Sequence, residues 1–268
     1  MLVIHETGPW RPGQIVVEQA ASSWPADIPA VNERIARAWD EAKARLGDKL
    51  FDGPMCRMES WLRDEASGAL RLKLSTTSYR VFLGTNLTNP GLADEFGERV
   101  LARPVGVSPA FVTADGWLML GRRNASVAYY PNHVHPFAGA LEPSDHGDDG
   151  GADPFAAVRR ELREELSLRE DDVTDIVCTG IVEDTILRQP EMIFAARSPL
   201  SRERIEAQVD DEEHHDSFAI RATPDVIANT LAASDEPFTP VARAAMLLFG
   251  RIEFGGEWFD RVRVALGI

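Results

Sequence analysis

Residues 160–165 read Arg-Glu-Leu-Arg-Glu-Glu, and they form the most informative segment of the chain. On a helix, spacings of three and four residues bring Glu161, Glu164 and Glu165 to one face. An apolar stripe runs beside that face: Phe155, Val158, Leu162 and Leu166. We expect the helix to pack on this stripe and to present its three carboxylates at the edge of the packed surface.

Carboxylates placed this way repel one another, at a cost of roughly 0.2–0.5 kcal/mol per pair even when they are exposed. A hard divalent cation between them offsets that repulsion. Mg²⁺ prefers oxygen ligands and keeps several waters, which leaves room for substrate phosphates. A solvated helix face rich in Glu and Arg is the alternative interpretation of the same six residues, and it is a common one.

The segment before the helix adds to the pattern. Asp153 suits the N-cap position and Pro154 the first helical position, so the helix is predicted to start sharply there. A polar loop with Ser, Asp, His and Gly fills residues 143–152. Before the loop stands Gly139-Ala140-Leu141-Glu142.

The glycine, the acidic loop and the helix together resemble the motif of the Nudix hydrolases, in which Arg-Glu-aliphatic-x-Glu-Glu-x-Gly-aliphatic lies on the helix. Gly139 matches the glycine of the motif. The helix positions that match are Arg160, Glu161, Leu162, Glu164, Glu165 and Leu168. The resemblance implies that Glu161, Glu164 and Glu165 hold Mg²⁺, with Mn²⁺ as a substitute. It also implies that the Gly139 carbonyl adds a ligand and that Arg160 orients the first glutamate.

Two features depart from the motif. The loop between Glu142 and the helix is several residues too long, so that Ala152 stands eight positions before Arg160, where a glutamate is usual. Ser167 replaces the glycine that normally ends the motif. Both departures concern the geometry of the loop and of the helix end. The three helix glutamates, which the resemblance assigns to the metal, are intact.

A wider resemblance covers most of the chain. Residues 77–86, Thr-Ser-Tyr-Arg-Val-Phe-Leu-Gly-Thr-Asn, look like a segment of the Nudix subgroup that includes the animal hydrolase of UDP-glucose and UDP-galactose and a plant relative associated with GDP-mannose. Residues 50–52, 104–107, 113–115 and 215–217 resemble the same subgroup in the same order. This implies an α+β Nudix fold, a mixed β-sheet between helices, with an N-terminal α/β extension.

The domain boundary is predicted near Pro104. Residues 1–104 would form an N-terminal α/β domain that could contact substrate, and residues 105–268 the Nudix hydrolase domain. In the alternative arrangement, the N-terminal strands simply extend the same sheet.

Four residues are predicted to bind substrate. Tyr79, Arg80 and Asn86 lie in the segment that resembles the subgroup, and a guanidinium such as that of Arg80 fits phosphate bidentately. Arg122, which is followed by a second arginine, comes after a predicted strand at residues 117–120 and could neutralise a diphosphate. The alternatives are a loop with local hydrogen bonds and an ordinary strand end at the surface.

A late acidic residue often completes the site in Nudix hydrolases. Glu213 and Asp216, in a loop with two histidines, are the first candidates, and Glu183 and Glu191 compete for the role. A solvated charge run is the alternative for the loop. His133 and His135 lack a third clustered ligand, which argues against zinc.

Composition narrows the class of protein. The chain has 268 residues, with 43 acidic and 28 basic side chains and a formal net charge of −15, which disfavours nucleic acid as a partner. Two distant cysteines predict reduced thiols rather than a disulfide framework. No leader pattern and no apolar run of about 20 residues is present, so no membrane association and a cytoplasmic location are expected. The sequence carries no signal for an oligomeric state.

The expected partner is a small nucleotide, and the expected reaction is Mg²⁺-dependent hydrolysis of the diphosphate in a UDP-glucose or UDP-galactose type of substrate. The products would be a nucleoside monophosphate and a sugar 1-phosphate. A Nudix hydrolase of another nucleotide, such as GDP-mannose or ADP-ribose, is one alternative. A Nudix-like module that binds a nucleotide without cleaving it is the other.

Overall fold

Two β-sheets and their helices make up the fold. The computed structural model describes residues 2–25, 27–147, 150–208 and 214–268. The strands are β1 (Leu2–Trp10), β2 (Ile15–Gln19), β3 (Pro54–Arg63), β4 (Leu70–Ser78), β5 (Gly106–Val112), β6 (Trp117–Arg123), β7 (Val134–His135), β8 (Gly139–Ala140), β9 (Thr174–Asp184), β10 (Gln189–Arg197) and β11 (His214–Arg221). The α-helices are α1 (Pro29–Leu46), α2 (Tyr79–Phe82), α3 (Leu92–Phe96), α4 (Pro154–Leu166), α5 (Arg202–Glu206), α6 (Pro224–Ala233), α7 (Pro240–Phe254) and α8 (Gly256–Leu266).

The larger sheet is mixed, with the strand order β1-β9-β10-β5-β6-β11. Strands β10 and β5 run parallel, whereas the other pairs in this sheet are antiparallel. The short strands β7 and β8 pair with β6 and β5. Alternation along β5 sends Val107 and Phe111 to one face and Ala110 and Val112 to the other, as the two-residue period of a strand requires.

Each face of this sheet is covered by helices. The apolar stripe of α4 packs on one face, and α6, α7 and α8 pack on the other. The sheet is thus buried on both sides between helices, which confirms the predicted α+β class. Within the described residues, none of the helices combines the length and the apolar character needed to cross a bilayer.

The N-terminal unit (residues 15–104) is built on the smaller sheet, of order β2-β4-β3, together with α1. Backbone hydrogen bonds join it to the rest of the protein: Cys56 N donates to Leu141 O (2.8 Å) and Val105 N to Cys56 O (2.9 Å). Strands β2–β4 thus form their own sheet before Pro104, whereas β1 pairs with β9 and extends the larger sheet. The division into two domains near Pro104 stays a prediction.

The sequence analysis missed β3, where the apolar alternation is interrupted because Arg57 is buried within the strand. The Arg57 guanidinium donates to the carbonyls of Leu101 and Ala102, so a charged residue here links β3 to the segment before Pro104.

Candidate active site

A cleft of about 490 Å³ opens between the N-terminal unit and the larger sheet. That volume lies in the range of small-molecule sites. Its walls combine three parts of the chain: the N-terminal unit, the loop at residues 126–130, and the region around α4 and the ends of β9 and β10. Carboxylates and arginines gather at the α4 side, as expected of a site for a phosphorylated ligand.

Helix α4 begins as predicted. The Asp153 side chain caps it by accepting a hydrogen bond from Phe155 N (2.9 Å), and Pro154 occupies the first turn. Leu162 and Leu166 are fully buried against the sheet. This packing leaves Glu161 and Glu165 buried and Glu164 exposed, so the three predicted glutamates lie along the border between core and solvent.

Gly139 and Glu161 are in close apposition. A β-carbon built on Gly139 would overlap the Glu161 carboxylate. Only glycine at this position leaves space for that carboxylate. This steric requirement explains why a glycine stands at position 139. Both residues line the cleft.

Arg160 holds the carboxylates of this region together. It donates from Nη1 to Glu161 Oε1 (2.7 Å) and to Glu164 Oε2 (3.1 Å), and from Nη2 to Ala140 O (2.9 Å). Burial alone would lower the pKa of Arg160, but its hydrogen bond to Asp145 and the charge of Glu161 outweigh burial and raise that pKa. Arg160 is thus a permanent cation bonded to Glu161 and to Glu164.

The long loop is tied to the helix by a carboxylate that the sequence analysis did not select. Asp145 Oδ1 accepts from Arg160 Nε (2.7 Å), and its Oδ2 accepts from Arg160 Nη2 (3.2 Å) and from Glu142 N (2.8 Å). In this chain Asp145 thus supplies the acidic partner of Arg160 from within the loop, although Ala152 stands at the usual glutamate position.

The second departure also has a structural reason. Ser167 follows α4 with a φ of 52° and a ψ of 33°, the left-handed conformation that glycine adopts most readily. The chain therefore keeps the backbone turn of the motif despite the change of residue.

A buried carboxyl group lies deeper in the cleft. Glu191, on β10, accepts a hydrogen bond from Ser108 Oγ (2.6 Å), and a β-carbon on Gly106 would overlap its carboxylate. The pKa of Glu191 is raised to about 8, mainly by burial. The hydrogen bond from Ser108 lowers this pKa, whereas the negative charges of Asp184 and Glu161 raise it. A carboxyl group that titrates near neutrality inside a cleft is a functional candidate.

Two tyrosines of the loop at residues 126–130, Tyr129 and Tyr130, also line the cleft. Tyr130 donates its hydroxyl to Asp184 Oδ2 (2.7 Å), and burial followed by this hydrogen bond raises the pKa of the phenol. The Arg123 guanidinium lies 4.4 Å from the centroid of the Tyr129 ring. Tyr130 has a φ of 48°, an uncommon conformation for a residue other than glycine that tends to cluster at functional sites.

The four predicted substrate residues separate into two groups. Tyr79 lines the cleft. Arg80 instead lies at the surface with its guanidinium 5.8 Å from the Trp39 ring centroid, and Arg122 pairs with Glu236 at 2.9 Å. Its neighbour Arg123 lines the cleft, because successive residues of β6 point to opposite sides. Substrate binding by Arg122 stays a prediction.

Asn86 makes its hydrogen bonds inside the protein. It is fully buried, it donates from Nδ2 to the carbonyls of Leu187 (2.8 Å) and Arg188 (3.2 Å), and its Oδ1 accepts from Ala102 N (2.9 Å). These bonds fix the turn between β9 and β10. Asn86 therefore positions the strand ends that carry Asp184 and Glu191. Its predicted contact with substrate stays a prediction.

The structure distinguishes among the late acidic residues. Glu213 lies outside the described residues. Asp216 is exposed on β11 in register with Arg122, and Glu183 lies 3.4 Å from His5, whereas Glu191 lines the cleft. Glu191 is thus the one that the fold brings toward the helix glutamates.

Divalent cations suit the donors of this cleft, because carboxylate and carbonyl oxygens are the ligands that Mg²⁺ and Mn²⁺ prefer. Glu161, Glu164, Glu191 and the Gly139 backbone all line it. Across the described residues, no three Asp, Glu, His or Cys side chains converge closely enough to form a ready-made metal site. The Arg160 guanidinium bonds to two of the helix glutamates in this arrangement.

The sequence analysis selected none of Asp184, Tyr130 and Asp145, and it considered His135 only as a zinc ligand. His135 lines the cleft and its Nδ1 lies 2.8 Å from Thr239 Oγ1. Local patterns could not select these residues, since the side chains with which they bond (Arg160 for Asp145, Thr239 for His135, and each other for Tyr130 and Asp184) are 15 or more positions away. The run Tyr129-Tyr130 was the available signal, because it puts two of the three tyrosines of the chain in one polar loop.

Comparison with known proteins supports the resemblance. No family model matches the chain. The chain is 27% identical over 279 residues to "Uridine diphosphate glucose pyrophosphatase NUDT22" of Mus musculus, covering 94% of this chain and 90% of that protein. It is 26% identical over 153 residues to "Nudix hydrolase 9" of Arabidopsis thaliana, covering 52% and 49%.

A solved structure described as a MutT protein from Methanosarcina mazei matches 56% of this chain and 94% of its own, with a TM-score of 0.41 and 16% identity. The sequence relatives confirm the resemblance to Nudix hydrolases and to the subgroup indicated by the residues around Tyr79. The similarity covers the N-terminal unit as well as the residues around α4.

Proposed function

We propose that this Nudix-related chain hydrolyses the diphosphate of a nucleoside diphosphate sugar of the UDP-glucose or UDP-galactose type, with Mg²⁺ as cofactor. The class is that of its relatives, hydrolases acting on phosphorus-containing anhydrides. The observation that carries the proposal is the seating of Glu161 against Gly139, with Arg160 between Glu161 and Glu164, in a cleft large enough for a small ligand.

Glu161, Glu164 and Glu165, with the Gly139 carbonyl, would hold the cation. When bound, Mg²⁺ would neutralise the diphosphate and stabilise the charge that develops as the bridging bond breaks. Arg160 bonds to Glu161 and to Glu164 and so limits the orientations of both carboxylates.

In the hydrolysis, the oxygen of water bonds to one phosphorus and the bridging P–O bond breaks. The protons of the water end on the two phosphate products or in solvent, which leaves a nucleoside monophosphate and a sugar 1-phosphate. Glu191 is the acidic residue that we propose orients the water, because it lines the cleft, where burial raises its pKa to about 8. Arg123 supplies positive charge at the same end of the cleft.

The deciding experiment measures release of nucleoside monophosphate from a panel of UDP-, GDP- and ADP-sugars, in Mg²⁺, in Mn²⁺ and in EDTA. We expect cleavage of UDP-glucose or UDP-galactose that EDTA abolishes. Preferred cleavage of GDP-mannose or ADP-ribose would replace the substrate assignment. Binding without cleavage of any compound would support the nucleotide-binding module instead.

A cytoplasmic location remains part of the proposal. Cys56 and Cys178 are both free and buried, as expected of reduced thiols, and burial raises the pKa of each thiol to about 12.

A further inference from the structure

His135 lies in the wall of the cleft and is 5% exposed. It belongs to β7, a strand of two residues that is held on both sides. On one side His135 pairs with Gly121 of β6. On the other side Val134 N donates to Pro237 O (2.8 Å) and Thr239 N donates to Val134 O (3.0 Å), which joins β7 to the start of α7. The backbone therefore fixes the place of the His135 ring in the wall.

The Thr239 hydroxyl determines which nitrogen of the His135 ring carries the hydrogen. Thr239 is fully buried and caps α7, where its Oγ1 accepts a hydrogen bond from Ala242 N (3.1 Å). The hydrogen of this hydroxyl also needs an acceptor, since burying an unpaired donor is unfavourable. Within the described part of the chain that acceptor is His135 Nδ1, which lies 2.8 Å from Oγ1. Because Nδ1 accepts, the hydrogen of the neutral ring is on Nε2.

A ring in this form donates from Nε2 but cannot take up a proton there, so it suits a negatively charged oxygen and not the role of base for the attacking water. Arg123 lies two residues from Gly121 on the same face of β6 and also lines the cleft. A guanidinium and an N–H donor from paired strands thus reach the cleft from β6 and β7. The carboxylates of Glu161 and Glu164 reach it from α4.

The diphosphate is the part of the proposed substrate that needs such donors. Its oxygens are negatively charged, and the charge on the leaving oxygen grows as the bridging bond breaks, so a fixed donor there favours the transition state. Sugar hydroxyl groups both donate and accept, and they give no preference for a ring that only donates.

Resting on the proposed function, we infer that His135 donates a hydrogen bond from Nε2 to a phosphate oxygen of the substrate, and that Thr239 is the positioning residue that keeps the hydrogen on Nε2. His135 is then a catalytic residue outside the motif on α4.

The first experiment determines the tautomer of His135 in the wild type. Long-range proton–nitrogen NMR correlations of isotope-labelled histidine side chains distinguish the two forms, and the His135→Gln variant assigns the signal. We expect the hydrogen on Nε2 near neutral pH, and a shift of the Nε2 signal when methylenediphosphonate is added with Mg²⁺. This probe has the charge of a diphosphate, but its P–C–P bridge is not hydrolysed. A hydrogen on Nδ1, or a His135 signal that does not respond to the probe, would overturn the inference.

The second experiment removes the donor. Isothermal titration with methylenediphosphonate and hydrolysis of UDP-glucose, both in Mg²⁺, compare the wild type with His135→Leu and His135→Gln. A hydrogen bond to a charged group contributes roughly tenfold to hundredfold, so His135→Leu should lose about that factor in affinity and in kcat/KM. His135→Gln keeps an N–H donor and should retain most of both, with the wild-type pH profile of kcat/KM. His5→Gln, outside the cleft, is the matched control.

Thr239→Val and Thr239→Ser test the positioning role. Valine keeps the shape of threonine but loses the hydroxyl, so Thr239→Val should change the signals of both ring nitrogens of His135 and weaken binding of the probe. Thr239→Ser keeps the hydroxyl and should match the wild type in both measurements. Wild-type affinity in Thr239→Val would contradict the positioning role.

Failure of this inference and failure of the proposed function give different results. Wild-type affinity and turnover in His135→Leu would refute the inference and leave the proposed function standing. Equal losses in His135→Leu and His135→Gln, or loss of one limb of the pH profile in His135→Gln, would refute it as well, because the donor would not be what matters. A wild type that binds the probe through His135 but cleaves no nucleoside diphosphate sugar would remove the proposed function and keep the contact between His135 and a diphosphate.

Discussion

Gly139 lies directly against the carboxylate of Glu161, and no side chain of any size fits between them. The contact joins β8 to α4, because Gly139 pairs with Val107 of the larger sheet and Glu161 lies on the helix. Similarly, Gly106 leaves room for the Glu191 carboxylate, and Gly106 pairs with Ala140, the residue after Gly139. Two glycines on neighbouring strands thus allow two carboxylates to approach the backbone from helix α4 and strand β10.

Gly139→Ala should displace Glu161 and lower kcat by about 100-fold, since a shift of about 1 Å in a catalytic group can have that effect. The measurement is steady-state hydrolysis of the best substrate, with thermal unfolding to confirm that the variant is folded. Gly91→Ala is the matched control, because a β-carbon there meets only open space. Full activity in the Gly139 variant would refute the importance of the contact.

Glu165→Gln tests the metal assignment on α4. The substitution keeps the size of a buried side chain and removes one of several neighbouring negative charges, so the fold should be at least as stable as before. Turnover should fall by about 100-fold or more, because a charged group that stabilises the transition state is lost. Glu41→Gln, at an exposed position on α1, is the control. Near-wild-type turnover by the Glu165 variant would remove that residue from the site.

The sequence predicted the features that depend on local pattern. The cap at Asp153, the buried stripe of α4 and the common face of its glutamates all follow from helical spacing over a few residues. The glycine at 139 was found by resemblance, and its steric reason appears only when β8 and α4 are placed together.

Pairings between distant parts of the chain were not predictable in this way. Asp145 reaches Arg160 because the loop folds back on the helix, and Asn86 reaches Leu187 across 101 positions. The choice between Arg122 and Arg123 depends on which side of β6 faces the cleft, and a one-residue shift in register reverses it.

The pKa of Glu191 predicts a pH-dependent stability in EDTA. Unfolded Glu191 has the ordinary pKa near 4.5, whereas the folded group titrates at about 8. Between these values the unfolded chain has released a proton that the folded protein retains. The free energy of unfolding should thus fall as pH rises, by up to about 1.4 kcal/mol per pH unit from this group.

Glu191→Gln is neutral in both states, so its unfolding free energy should fall less steeply than that of the wild type between pH 5 and pH 8. Ser108→Ala removes the hydrogen bond that opposes the shift, so the decline in that variant should continue to higher pH. Urea unfolding at each pH measures both effects. Parallel profiles for Glu191→Gln and the wild type would show that the group does not titrate in this range.

Asn86→Ala tests the support of the turn between β9 and β10. The carbonyls of Leu187 and Arg188 would lose a buried donor, which should lower the free energy of unfolding by roughly 2–3 kcal/mol. Because Asp184 and Gln189 flank this turn and line the cleft, kcat/KM should fall as well, even well below the unfolding temperature. Asn89→Ala removes a single bond to Gly84 O and should have a smaller effect on both quantities. Equal effects from the two variants would count against a positioning role for Asn86.

Arg160→Lys separates charge from geometry. Lysine keeps the positive charge beside Glu161, but it cannot bond at once to Asp145, Ala140 O, Glu161 and Glu164 as the guanidinium does. If orientation of the glutamates is what the arginine supplies, kcat should fall by about 10- to 100-fold, with a smaller change in KM.

Two further variants locate the cause of the Arg160→Lys effect. Arg163→Lys, at an exposed position on the same helix, should have activity close to that of the wild type. Asp145→Asn keeps an acceptor for Arg160 but loses the charge, so it should lower kcat less than Arg160→Lys does. If Arg160→Lys retained full kcat, charge alone would suffice, and the network between Arg160, Asp145 and Ala140 would serve only to hold the loop on the helix.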